Sequence, residues 1–587
     1  MRAARLLLAA GLLWACAAAA AADAAATQRL HALFERYWEQ TAHDHPEWAT
    51  WRGDHRFDDR LSDASPAGRE AVDAREREWL AEARAFDPAT LAAVDRSSLE
   101  LFIHGRAEAV AFQPFEGWRS MSLGAQGGFQ TDLPELLRAM PMDHAAQVDN
   151  FLARLAAVPQ RIDQELHWLK RGITLGWVPP QAVLQRVLAQ IDEQLLAPPQ
   201  RNPWLEALQH MGSQIPPATQ AASRERATEA LRTQVLPALQ RLRDFVAGPY
   251  MAAAPADGAL SRYPDGPRVY GLVIAEHTTL PLSARQLHDI GLREVARLQR
   301  EIEAAWRDAG FAGSQAQWLE HLNSDPKYFH PSGEALLVGY RDIAKRIDPE
   351  LPKLFAELPR APYGIRAMPS YQDAGKAEYY EGPALDGSRP GWFNANARAY
   401  RQRPVWSMET LVAHEAVPGH HLQVARAVEL HELPAFRRDL EFTAYVEGWA
   451  LYAETLGVDL GLYRDAASRY GHLQMQIFRA ARLVVDTGIH AFGWSRERAI
   501  DYLVDTSGVD RDHCSAEVDR YTSWPGQALA YMTGQLKIIE LRDRARAQLG
   551  QRFDIRRFHN AVLDQGALPL PVLERVIDGW IAAEAPR

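Results

Sequence analysis

The segment His414-Glu415-Ala416-Val417-Pro418-Gly419-His420-His421 gathers three imidazoles and a carboxylate within eight residues. Imidazole nitrogen and carboxylate oxygen are donors that zinc accepts, and a glutamate beside the first ligand is where hydrolytic zinc sites keep their general base. Metallopeptidase helices commonly set two histidines four residues apart, which stacks them on one face. Here His414 and His420 are six apart, which leaves them about 240° out of phase in a regular helix. His421 shares the face of His414 but lies about 10.5 Å along the axis. Pro418 lacks an N–H, and its ring would clash with the carbonyl of His414, while Gly419 tolerates unusual dihedrals. A bulge is therefore expected between the ligands. If it absorbs two residues, His420 becomes the second ligand and His421 turns aside, either to support the ligands from behind or to face the substrate cleft. His421 is the alternative ligand.

A third protein ligand should come from a neighbouring element and leave a fourth position for water. The stretch from about Leu440 to Gly457 offers Glu447 and Glu454, seven apart on one helix face among Tyr445, Val446, Trp449, Leu451 and Tyr452. Carboxylates in so apolar a helix need compensation if buried. Metal ligation by Glu447 and a hydrogen bond between Glu454 and a ligand histidine would provide it. Glu415 is then the general base, and one Zn2+ is the expected cofactor.

The strings HEAVPGHHLQ, YVEGWALYAE and RYTSWPGQALAYMTGQL together resemble a large, mostly uncharacterised bacterial family of predicted zinc peptidases, many described as lipoprotein candidates. The resemblance covers most of the chain after about residue 27. That family is similar in turn to the thimet-oligopeptidase and thermostable-carboxypeptidase groups, which are helical, two-lobed enzymes with a deep central cleft. The resemblance maps the ligands onto His414, His420 and Glu447, with Glu454 completing the helix pair. The departure is two extra residues before Gly419-His420. It also implies a tyrosine at the reaction centre, where a phenol hydroxyl would face the developing oxyanion. Tyr531 is the first choice and Tyr521 the second. Asn394 and Asn396 could hold substrate main chain on a strand edge, as in similar enzymes. Arg520 could grip a substrate carboxylate through its fork, with Arg479 and Arg482 competing for that role.

The elements that must position these groups read as helices. Leu30, Leu33, Phe34, Tyr37 and Trp38 follow a Thr27 cap on one face. Ser283-Ala284-Arg285-Gln286 has the form of a capping box, after which Leu287, Gly291, Val295, Leu298, Ile302 and Trp306 recur until Gly310. Arg482, Asp486 and His490, four apart, read as an ion-pair ladder. Strand-like alternation is scarce, and the irregular region from Pro359 to Pro404 is where a small sheet belongs. The expected fold is all-α, two-lobed, with a small β-sheet near the active site. Pro/Gly-rich stretches at 197–203 and 248–267 break the pattern. One catalytic domain is expected over 27–587, with an N-terminal lobe at about 27–255 and a metal-binding lobe at about 256–587.

With 587 residues, 47% hydrophobic and 24% charged, the chain has a globular composition. A net charge of -10 with interspersed signs leaves no basic stripe for nucleic acid. Residues 1–22 read as a signal peptide, with Arg2 and Arg5 before an apolar, alanine-rich run. Two processing routes are open. Leu13-Trp14-Ala15-Cys16 resembles a lipobox that would place a lipid anchor on Cys16, and Ala20-Ala21-Ala22 offers an ordinary cleavage site. Both lead to export. Of the two cysteines, Cys514 then has no intramolecular partner, so packing alone must hold the fold. The expected activity is that of a periplasmic peptidase, carboxypeptidase or oligopeptidase, acting on short or unfolded peptides. A hydrolase of other amides or cell-wall fragments, and a metal-containing binding lipoprotein, are the alternatives.

Overall fold

A computed structural model describes residues 24–125, 127–369 and 377–584. The signal segment 1–22, with Cys16, lies outside the described residues.

Caps and periodicity set the long helices. Ser283 accepts the backbone N–H of Gln286, whose side chain accepts the N–H of Ser283 in return. From that capping box Ala284–Asp308 (α1) runs on, with Leu287, Val295, Leu298, Ile302 and Trp306 buried. The helices that follow in the chain include Val405–Glu415 (α2), His420–Val428 (α3), Thr443–Thr455 (α4), Ala466–Phe492 (α5) and Arg511–Ser523 (α6). Ala530–Leu549 (α7) follows them. The protein is thus mainly helical. The expected N-terminal cap is corrected: residues 24–44 are helical, so Thr27 sits inside the helix and donates its hydroxyl to Asp95. Alanines 24–26 have the highest helix propensity and nothing stops the helix from extending through them.

Three strands form the only sheet among the described residues: Tyr363–Ala367 (β1), Tyr379–Glu381 (β2) and Gly391–Ala395 (β3). Their order is β1-β3-β2, with β3 parallel to β1 and antiparallel to β2. All three fall between residues 359 and 404.

One apolar core joins α2, α3, α4 and α7 through Val412, Ala413, Leu422, Tyr445, Trp449 and Ile538. A second joins α1 to α5 and reaches Tyr521 and Tyr531. The three motifs lie where these two cores meet, so burial fixes their backbones from both sides. Segments between residues 123 and 254 have a separate core of their own. No helix among the described residues is long and apolar enough to cross a membrane.

Two half-buried carboxylates set a pH response. Burial, and for Glu108 also the charge of Glu276, pushes both Glu108 and Glu276 up to about 7. Such groups hold a proton in the folded state that they release on unfolding above their ordinary pKa, so stability falls as pH rises from about 4.5 to 7. Glu276→Gln should flatten that fall, raising Tm at pH 8 while leaving it nearly unchanged at pH 4, as a thermal melt would measure.

Candidate metal centre

The chain leaves its helix between the ligands. Helix α2 stops at Glu415, Ala416 takes φ -104° and ψ -106°, and α3 starts at His420. The bulge expected within one helix is in fact a complete break between two helices. A Cβ on Gly419 would lie 1.9 Å from the carbonyl oxygen of His414, so only glycine fits there. Trp449 on α4 donates its indole N–H to the carbonyl of Pro418 at 2.9 Å, which ties the turn to the helix carrying the glutamates.

This turn brings His414, His420 and Glu447 together, one donor atom from each lying within 4.8 Å of the others. Glu447 Oε2 stands 3.3 Å from His420 Nε2 and 3.6 Å from His414 Nε2. A tetrahedral ion with arms of about 2.0–2.1 Å has edges of about 3.3–3.4 Å, so the spacing suits one zinc-sized cation. The same oxygen is buried without a hydrogen-bond partner. An orphaned buried carboxylate oxygen is costly, and a cation between the two imidazoles removes that cost. Burial acts to raise the Glu447 pKa, but the adjoining His414 and His420 hold it well below the carboxylate range, which keeps it charged for a metal.

His414 is oriented from behind. Its Nδ1 lies 2.8 Å from Glu454 Oε1, which puts the proton on Nδ1 and leaves the Nε2 lone pair facing the site. The other Glu454 oxygen accepts from Gln476, which accepts in turn from Gln535. Glu454→Ala should therefore lower metal affinity about 10–100-fold, measurable by competition with a zinc chelator, with the fold intact by circular dichroism.

A family model described as "Bacterial protein of unknown function (DUF885)" matches residues 46–577. The chain belongs to the DUF885 family. A solved structure of a lipoprotein candidate from Colwellia psychrerythraea is 26% identical, with a TM-score of 0.88 over 95% of this chain and 99% of that one. A lipoprotein candidate of unknown function from Shewanella oneidensis, 17% identical, has a TM-score of 0.66 over 93% and 98%, and shares the fold. No curated protein matches.

In this DUF885 chain Glu415 is buried beside His414, and it lines a cavity of about 550 Å³. Burial pushes its pKa up to about 8, His420 pulls it down, and Glu447 pushes it further up; a cation on Glu447 would draw it back toward neutrality. Tyr531, at the start of α7, stacks with His414 at 6.2 Å between ring centroids. Helices α4 and α7 approach closely enough for this because Gly448 meets Gly534: a Cβ on Gly448 would lie 2.4 Å from the Gly534 Cα.

Gln527 was not singled out from sequence, although it precedes Tyr531 by one helical turn. Its amide nitrogen donates to both Glu447 Oε1 (3.2 Å) and the Tyr531 hydroxyl (3.1 Å). Because Tyr531 accepts that bond, its own proton stays available. Arg520 fixes the amide's orientation by donating to Gln527 Oε1 at 2.5 Å, with the rest of its guanidinium on Glu517. Arg520 thus positions Gln527 and is not presented to a substrate, contrary to the expectation.

Other expectations are corrected in the same way. Tyr521 donates to Glu517 and accepts from Arg482 in the core, away from the ligands. His421, the alternative to His420, lies outside the converging donors, on the side to which the preferred reading turns it: its Nε2 donates to the carbonyl of Ala361 and its Nδ1 accepts from Tyr380, with burial lowering its pKa to about 4. Asn394 lies on β3, the central strand, which has no free edge, and its Oδ1 accepts from Arg366. Asn396 accepts the N–H of Ala399 and gives its own N–H to Glu378. Nor do Arg482, Asp486 and His490 form a ladder. Arg482 reaches Glu517, Asp486 receives Tyr270, and His490 binds the backbone at Leu260 and Tyr521.

Proposed function

We propose that this chain is a zinc-dependent peptidase that hydrolyses short or unfolded peptides. The observation that carries the reading is the orphaned oxygen of Glu447 facing Nε2 of both His414 and His420, with a buried Glu415 next in sequence to the first ligand. A bare binding site would have no use for that fourth group.

His414, His420 and Glu447 would hold the ion, which would supply a Lewis acid that acidifies water and polarises the substrate carbonyl. Glu415 would take the proton of the attacking water and pass it to the leaving amine, so that the C–N bond breaks and the fragments depart as carboxylate and amine. The free hydroxyl proton of Tyr531 would meet the carbonyl oxygen as negative charge builds on it. Glu454 keeps His414 in the tautomer this requires. Export, as an anchored or soluble protein, is supported by Arg2, Arg5 and the apolar run behind them, and by the Colwellia relative described as a lipoprotein candidate.

The test is digestion of a diverse peptide mixture read by mass spectrometry. Zinc-loaded protein should cleave, chelation should abolish cleavage, and added zinc should restore it. Absence of any cleavage by a fully metallated protein between pH 5 and 9 would overturn the reading.

A further inference from the structure

The cavity that Glu415 lines carries more positive charge than its carboxylates use. Arg479 and Arg482 project from α5 one helical turn apart, and both are more than nine-tenths buried against this cavity. Arg482 binds Glu517 at 2.6 Å, but the same carboxylate also holds Arg520 at 3.0 Å. One anion therefore serves two guanidiniums. Arg479 has no carboxylate within ion-pair distance among the described residues, and its hydrogen bond goes to the sulfur of Met475 at 3.1 Å. Arg479 Nε and Arg482 Nη1 are buried without partners. Burying a cation unpaired costs several kcal/mol after relaxation, so a protein that keeps one beside its general base has a reason in its ligand.

The position of the pair says which ligand. Arg482 lies over the Tyr531 ring at 4.7 Å and Arg479 at 6.0 Å from the same centroid, so both guanidiniums face the ring of the tyrosine assigned to the oxyanion. Part of the cavity wall is apolar, formed by Leu319, Phe329, Trp406, Leu411, Met475 and Phe478, and the rest is polar or charged, including Arg401, Arg511, Asp510 and Asp512. A carboxylate at the guanidiniums and an apolar side chain on the apolar part describe the last residue of a peptide, with its scissile bond toward Glu415.

We propose that Arg479, assisted by Arg482, receives the substrate's free C-terminal carboxylate, and that the enzyme is a carboxypeptidase releasing an apolar C-terminal residue. This rests on the peptidase reading above. Arg479 is the specificity-determining residue, because it lines the cavity beside Glu415 and makes no ion pair with a carboxylate among the described residues.

Two measurements separate this proposal from the reading beneath it. The first is calorimetric binding of N-acetyl-L-phenylalanine and its amide to the zinc-loaded protein, which needs no turnover. The acid should bind at least about 10-fold more tightly than the amide, and Arg479→Met should erase the difference. The second is cleavage of a peptide ending in phenylalanine, as free acid and as amide. The free acid should lose only its last residue, with kcat/KM at least about 30-fold above that of the amide, and Arg479→Lys should restore part of what Arg479→Met removes. Because Arg479→Met deletes an unpaired buried cation, its Tm should equal or exceed that of the parent, which rules out misfolding as the cause of lost activity. Equal binding of acid and amide, or discrimination unchanged in Arg479→Met, overturns the proposal; cleavage of both peptides at equal rates overturns it while leaving the peptidase reading intact.

Discussion

Glu415→Gln should bind zinc as tightly as the parent and cleave peptides about 10²–10⁴-fold more slowly. The glutamine keeps the shape of the side chain and cannot accept the water's proton. Glu415 is not among the three donors that converge on one point, so metal content, measured by mass spectrometry of the intact protein, should not change. The defect should fall on kcat, since the group acts on the reacting water and not on the substrate's ends. An active Glu415→Gln variant would remove this residue from the chemistry. Loss of both metal and activity would instead make Glu415 a ligand.

The second large effect distinguishes neighbouring histidines. His420→Ala should lower zinc affinity roughly 10²–10³-fold, about one ligand's share of a binding free energy of about 10–16 kcal/mol. His421→Ala should keep the metal. Its cost is structural: it strands the Tyr380 hydroxyl and the Ala361 carbonyl, which His421 now bridges at 2.9 and 3.1 Å, so a loss of about 1–3 kcal/mol of stability is expected. Zinc retention by both variants, or its loss in His421→Ala alone, would reverse the assignment.

The convergence of His414, His420 and Glu447 was legible because such donor types are rare in such proximity and because Pro418 and Gly419 announce a break by their own covalent structure. The form of the break was not. A bulge and two separate helices use the same residues, and the choice falls to Ala416, whose ψ of -106° no local preference of alanine foretells. The small sheet was readable from the Pro/Gly-rich run between 359 and 404, whereas the central place of β3 depends on its pairing with both preceding strands, which sequence order does not reveal. That is why Asn394 looked like an edge residue and is not one.

Long polar side chains misled for a related reason. Arg482, Asp486 and His490 share a helix face, and each crosses to a different element. Arg520 looked available until its partners Glu517 and Gln527 stood around it. Helical spacing identifies which residues can meet on one element; it says nothing of what another element offers them. Gln527 shows the converse. It had no chemistry of its own to attract attention, yet its amide joins Glu447 to Tyr531.

X-ray absorption at the zinc edge of protein loaded with one equivalent of metal tests the centre most directly. The account predicts four light-atom neighbours at about 2.0–2.1 Å, with the multiple-scattering signature of two imidazoles that falls to one, or vanishes with the metal, in His420→Ala. A spectrum lacking imidazole, or one left unaltered by both His420→Ala and Glu447→Ala, would contradict it.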